Sequence, residues 1–212
     1  MVRKSGFEPG KQVMSVNRPR ELDYLVLNSL PKGVHIRPVR TDEVDVLYQL
    51  AIRHFGNEIA SFDVVKRIIG HHPESAFAIG RYGRSRTFKP LGYVALLLLN
   101  RAGVSRLRNG QLNAADPDLS LLCRPDEEPA GIYVWGVVAP GKAIVGLLKM
   151  MEVLKKEPYC HADIYARPAS KSGLQLMQAL QFERIFAGAS PGEKPLYRYR
   201  RLINRNGARC VV

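Results

Sequence analysis

His161, Asp163 and Tyr165 are spaced two apart in the segment YCHADIYA, Tyr159 to Ala166. Read as a strand, alternation sets these three on one face and Cys160, Ala162, Ile164 and Ala166 on the other. An imidazole takes up a proton near neutral pH, a carboxylate accepts one and a phenol gives one up, so such a row can do general acid–base work. Core-facing His and Tyr also serve as satisfied structural residues, and the spacing admits both. A second stretch carries its chemistry in the backbone: Gly131 to Lys156, GIYVWGVVAPGKAIVGLLKMMEVLKK. Gly131 to Val138 is uncharged and rich in β-branched and aromatic residues, which predicts a buried strand. Ala139-Pro140-Gly141 breaks it, and Ile144, Leu147, Leu148, Met151 and Leu154 recur at helical spacing. A strand that turns at once into a helix gathers unpaired N–H groups at one point, where the helix end adds roughly half a positive charge. That point suits a phosphate, although an ordinary strand-to-helix connection has the same signature.

The remaining elements must position these groups. Val34 to Val39 alternates and predicts a first strand. Thr41 is placed as the N-cap of a helix with Val44, Leu47, Tyr48, Ala51, Ile52 and Phe55 on its apolar side and Gly56 as its stop. Ser61 caps a second helix that Gly70 ends, and His71-His72 follow as a polar connection rather than a metal site. Ala76 to Gly80 and Leu91 to Leu99 form a hairpin whose loop carries Arg81, Arg84, Arg86 and Lys89 beside Tyr82 and Phe88. That loop suits either a phosphate backbone or a solvated tip. From Asn100 to Pro129 periodicity fades, a length that is functional or disordered in compact domains. A helix around Leu174 to Leu180, a strand at Phe182 to Phe186 and a strand at Pro195 to Ile203 complete the chain. This order implies an α/β protein of α+β type: a mixed, mostly antiparallel sheet with helices on both faces.

The chain has 212 residues, enough for one sizeable core. Its formal net charge is +13, with +4 on residues 1–20, +6 on residues 194–212 and +3 between them. Basic ends attract an anionic partner in a salt-sensitive way, or act as solvated tails. We therefore expect a mobile basic arm at 1–20, one domain over 21–203 and a basic tail at 204–212. The longest apolar run, Val94 to Leu99, is far too short to span a membrane. Residues 1–13 lack the apolar core of a secretory signal. Cys123, Cys160 and Cys210 share no metal-ligand spacing and read as reduced thiols of a cytoplasmic protein, with no metal site.

The element order and two motifs resemble the GNAT superfamily of acyl-CoA-dependent N-acyltransferases over about residues 34–203. The first motif is Val138-Ala139-Pro140 followed by Gly141-Lys142-Ala143-Ile144-Val145-Gly146. It stands where the family has Val-x-Pro and an Arg/Gln-x-x-Gly-x-Gly/Ala turn that binds the pyrophosphate of coenzyme A. Only the last glycine is kept; Gly141 replaces the Arg or Gln, Ile144 the middle Gly, and Lys142 supplies a charge. The second is Ser170 to Ile185, SKSGLQLMQALQFERI. Ser170 takes the place of the family's Asn, Met177 that of a Tyr often acting as general acid, and Gln181-Phe182 that of Gly-Phe. Met177 cannot donate a proton.

The resemblance implies acetyl-CoA or another acyl-CoA as co-substrate, an amine acceptor, and a pantetheine arm held between two diverging strands. The backbone at Val137 and Val138, the turn Gly141, Lys142, Ala143, Ile144, Val145 and Gly146, and Ser170 would hold it. Tyr133, His161, Asp163 and Tyr165 are the proton-transfer candidates by strand position, with His161 preferred as base and Tyr165 as donor. The alternative is an altered member of the fold that binds RNA or DNA through its basic ends and the 81–89 loop. No membrane contact is implied, and a homodimer stays open.

Overall fold

A computed structural model describes residues 33–56, 59–186 and 194–201. The expected arm at 1–20, the segment 22–30 and the tail at 204–212 lie outside the described residues, and with them ten of the thirteen net charges apart from those on 194–201. Seven strands form one sheet: β1 His35–Pro38, β2 Ala76–Tyr82, β3 Phe88–Leu99, β4 Gly131–Val138, β5 Asp163–Ala166, β6 Glu183–Phe186 and β7 Leu196–Tyr199. Their spatial order is β1-β2-β3-β4-β5-β7-β6. Among the described residues only β4 and β5 pair in parallel. Five α-helices lie among the described residues: α1 Val44–Phe55, α2 Phe62–His71, α3 Arg101–Arg108, α4 Ile144–Leu154 and α5 Lys171–Ala179. The expected mixed, mostly antiparallel sheet between helices is the one observed.

Strand alternation divides the core by sheet face. Phe77, Ile79, Val94, Leu96, Leu98, Ile132 and Ile164 point to the side covered by α4, where Val145, Met150 and Leu154 meet them. Ala78, Tyr93, Leu97, Leu99, Tyr133, Tyr165 and Leu196 point to the opposite side, under α1, α2 and α3. Gly146 lets α4 lie close on the sheet, because a Cβ there would stand 2.4 Å from the fully buried Ile79 side chain. The retained glycine of the turn is thus required by packing.

Several local expectations shift. Thr41 is not the cap; residues 41–43 form a 3-10 turn in which the Arg40 N–H donates to the Glu43 carboxylate at 3.2 Å. The Arg37 guanidinium grips the same carboxylate and ties β1 to the start of α1. Gly56 and Ser61 act as expected, but α2 runs through Gly70 to His71. His71 Nε2 pairs with the Cys123 carbonyl at 3.1 Å, and His72 Nδ1 accepts the Glu74 N–H at 3.2 Å. Arg81, Tyr82, Phe88 and Lys89 belong to the β2–β3 ladder, which shortens the basic loop to residues 83–87. The strand expected from Tyr159 begins only at Asp163. Cys160 is disulfide-bonded, which corrects the expectation of three reduced thiols; Cys123 is a free, buried thiol. Cys210 lies outside the described residues.

The segment 100–129 is ordered rather than featureless. Asn100 caps α3 by accepting the Gly103 N–H at 2.9 Å, and its amide donates to the Ser120 carbonyl at 2.7 Å. With Val104 and Leu107 as the only large apolar side chains in eight residues, α3 gives too faint a periodicity to be read.

Helix α5 ends in a Schellman motif: the Phe182 N–H bonds the Met177 carbonyl and the Gln181 N–H bonds the Gln178 carbonyl. Gln181 there has φ +61°, a left-handed conformation that favours glycine. Gln181→Gly is therefore expected to stabilise the fold by roughly 0.5–1 kcal/mol, read as a higher urea midpoint at unchanged m-value.

Candidate active site

The ladder between β4 and β5 stops short. Gly131 to Val134 pair with Asp163 to Ala166, and no further rung follows, while β4 continues beside β3 as far as Val138 opposite Tyr93. Both strands contribute to the parting. On β5 the chain proceeds through Arg167 to Pro168, which has no N–H to donate to a ladder. On β4 a bulge leaves Trp135 without a partner on β3, between Val134 opposite Leu96 and Gly136 opposite Ala95. Trp135 and Gly136 consequently turn to the same side, and the alternation inverts: Val137 joins the core under α4 and Val138 the core under α1. The Trp135 indole N–H donates to the Ala114 carbonyl at 2.7 Å, so the long segment before β4 clamps the bulge. Successive strand residues turn their N–H groups to opposite edges, so one of Val137 and Val138 presents its N–H to the gap.

The turn lies at the open end of the gap. Pro140 precedes a 3-10 turn, Gly141–Ala143, that leads directly into α4. The Ala143 N–H is taken by the Pro140 carbonyl and the Ile144 N–H by Gly141 and Lys142. The Gly141 and Lys142 N–H groups, first in the helical run, have no partner among the described residues. Gly141 has φ +52° with open space where a Cβ would stand, and Lys142 is exposed beside it. Ile144 is 48% exposed and so stands at the rim rather than over the amides. Ala143 and Val145 are buried in the core with Gly146, where they pack α4. The Ser170 hydroxyl accepts the Gly173 N–H at 3.1 Å and caps α5. Two free amides, an ammonium group and an open glycine fit a pyrophosphate.

Tyr133 and Tyr165 are register partners on the last paired rungs, both buried on the side away from α4. Burial first, and then the Asp163 carboxylate, push the Tyr165 hydroxyl above the ordinary phenol range, while Arg108 and Arg198 pull the other way. The Tyr165 ring leans toward Gly131, 3.0 Å from where a Cβ there would be, and so away from the gap. His161 does not join them. It is exposed in the turn before β5 and lines a different cavity with Asn100, Arg101, Cys123 and Glu127. That turn is at the end of β5 remote from the gap, roughly 15 Å along the chain from Ala166. The expected His161–Asp163–Tyr165 row fails because the strand is four residues long and starts after His161.

Tyr93 went unrecognised in the sequence. Its ring lies over Gly136, with the hydroxyl 3.6 Å from where a Cβ on that glycine would stand. It therefore sits beside the stretch of β4 that β5 has left. Burial pushes its pKa up to about 12, so it holds its proton at all physiological pH values. Its only sequence signal was a polar aromatic in the apolar run from Leu91 to Leu99. Met177 is buried in α5 and carries no proton to give.

No family model matches the sequence, and no curated protein matches it. Among solved structures, Arabidopsis thaliana NAA60 in complex with acetyl-CoA superposes with a TM-score of 0.51 at 13% identity, covering 79% of this chain and 99% of that one. The chain has the GNAT acyltransferase fold. A histone acetyltransferase HPA2 and related acetyltransferase from Corynebacterium glutamicum is also similar, with a TM-score of 0.47, 12% identity, and coverage of 78% of this chain and 94% of that one.

The turn depends on close backbone contact with β3. A Cβ on Gly92 would lie 2.1 Å from the Val138 carbonyl oxygen, whereas one on Gly136 would meet only ordinary contacts at 3.6 Å or more. Gly92→Ala is therefore expected to cost about 1–3 kcal/mol or more and Gly136→Ala well under 1 kcal/mol, compared by chemical denaturation.

Proposed function

We propose that this protein transfers an acetyl or other acyl group from acyl-CoA to an amine acceptor. The observation that carries this is the parting of β4 from β5 directly beside free amides at the start of α4. The fold it shares with NAA60, a protein solved with acetyl-CoA bound, supports the same conclusion. The Gly141 and Lys142 amides, with the Lys142 ammonium, would hold the phosphates, and Val137 or Val138 would aim an N–H at the thioester oxygen. One such preorganised donor is worth on the order of 3 kcal/mol in the transition state.

The acceptor ammonium loses one proton to water, and its nitrogen bonds to the acyl carbon. The C–S bond breaks with its electron pair on sulfur, the thiolate takes a proton, and the amide nitrogen sheds its surplus proton to solvent. With Met177 in place of a tyrosine, we assign the donor role to Tyr93, whose hydroxyl lies against Gly136 in the unpaired part of β4 and which would recover its proton from solvent after each transfer. Tyr133 and Tyr165 would orient the acceptor on the same side of the sheet. Binding of RNA or DNA draws no comparable support, because Arg81 and Lys89 are ladder residues and the basic ends lie largely outside the described residues.

Acetyl-CoA at 100 times its dissociation constant should stabilise the protein by about 2.7 kcal/mol, seen as a rise in Tm. Lys142→Glu should weaken acetyl-CoA binding about tenfold, a loss of roughly 1.4 kcal/mol. Tyr93→Phe should lower kcat about 100-fold with acetyl-CoA affinity unchanged. The wild-type rate should show no alkaline fall before about pH 11, since a donor with a pKa of about 12 keeps its proton until then. Absence of both a thermal shift and thiol release at millimolar acetyl-CoA would overturn the assignment.

A further inference from the structure

The side of the sheet away from α4 holds a cavity of about 440 Å³ between α3 and β6. Its walls are Arg101, Val104, Ser105, Arg108 and Asn109 from α3 and Ile185 from β6. Residues 101, 105 and 108 follow one another at four and three residues, so a single face of α3 presents two guanidinium groups and a hydroxyl to this space. Three observations place it against Tyr165 and β5. Val104 and Tyr165 both touch the Gly131 position, so the helix wall abuts the Tyr165 ring. Arg108 lies near enough to act electrostatically on the Tyr165 hydroxyl. Ile185 is the irregular residue just past Arg184, which is opposite Tyr197, and Tyr197 is also opposite Ala166, the last β5 residue paired with β4.

The charge in this space is not balanced. The carboxylates of the neighbouring strands are matched by another arginine: Arg198 faces Asp163 at 3.9 Å and Glu183 at 3.6 Å. Asp163 also accepts the Arg201 N–H at 2.9 Å. Arg101 and Arg108 have no ion-pair or hydrogen-bond partner among the described residues. Two unpaired, planar guanidinium groups beside a hydroxyl and a carboxamide bind a carboxylate or a phosphate and repel a cation. The volume admits a small molecule rather than a folded domain.

We propose that this cavity seats an anionic group on the acceptor, so that the substrate is a small amine carrying a carboxylate or phosphate, with its nitrogen directed past Tyr165 to the gap. This rests on the acyltransferase assignment above for the transfer, but not for the binding.

The test uses four amines as probes: glutamate, phosphoethanolamine, ethanolamine and putrescine. Binding to the full-length protein is measured by calorimetry, and thiol release is measured with acetyl-CoA. Glutamate or phosphoethanolamine should bind and be acylated at least tenfold better than ethanolamine or putrescine, and the ratio between those two separates the carboxylate source from the phosphate source. Arg108→Gln and Arg101→Gln, both at exposed positions, should each raise KM for the anionic amine about tenfold or more while acetyl-CoA affinity stays as in the wild type. Arg108→Glu should shift preference toward putrescine. Anionic amine binding that depends on Arg108, with neither thiol release nor a thermal shift by acetyl-CoA, would sustain the cavity assignment and remove the acyltransferase one. Equal use of all four amines, no binding of either anionic amine, or arginine variants that leave the preference unchanged would overturn the cavity assignment, whether or not transfer occurs.

Discussion

The termination of one parallel ladder governs the rest of this molecule. β4 and β5 share four rungs and then separate, although β4 keeps its other partner for its full length. A strand that loses one neighbour inside a sheet leaves backbone groups unpaired, at a cost of about 1–3 kcal/mol for each buried group. The chain offsets this with local devices rather than with closure. The Trp135 bulge turns two consecutive residues to the same side, and its indole is tied to Ala114. Pro168 removes the donor that a fifth rung would need, and the Ser170 hydroxyl starts α5 at once. What remains open is a slot rather than a defect.

The segment between β3 and β4 links that slot to the opposite side of the sheet. Asn100 binds both its own helix and the returning chain at Ser120, so α3 is held by hydrogen bonds more than by apolar contact. Gly103 is needed there, since a Cβ would stand 2.2 Å from the Leu121 carbonyl oxygen. The same segment supplies Ala114 to the bulge and Arg101 and Arg108 to the cavity. One segment therefore both clamps the strand that diverges and supplies the two arginines that line the cavity.

Sequence patterning revealed the framework where apolar periodicity was strong. β4, the turn and α4 match their expected limits, because eight uncharged residues and a regular helical stripe leave little choice. It failed where hydrogen bonds or tertiary pairing decide the structure. α3 is polar on most of its surface, and the strand at Tyr159 is cut to its last four residues because only those reach β4 and β7. The site was legible only in part. The free amides at Gly141 and Lys142 follow from the turn, but His161 depended on a strand that starts too late. Tyr93 lies against a position on a neighbouring strand, Gly136, that no spacing rule connects to it.

The differences from the GNAT pattern that the sequence resembles can be ranked by what each position must do. At 146 a side chain would collide with Ile79, and glycine is kept. At 144 the side chain leaves the helix toward solvent, so isoleucine costs the slot little more than exposed apolar surface. At 181 the left-handed backbone persists under a glutamine, and the strain of roughly 1 kcal/mol is carried by the Schellman hydrogen bonds around it. At 177 methionine fills a buried position that needs volume, and only the proton is lost. The three differences, at 144, 177 and 181, thus leave the backbone and the gap intact, while 146 has no room for anything but glycine. The chemical consequence concentrates at 177, and a phenol whose burial keeps it protonated lies across Gly136, on the strand that borders the same opening.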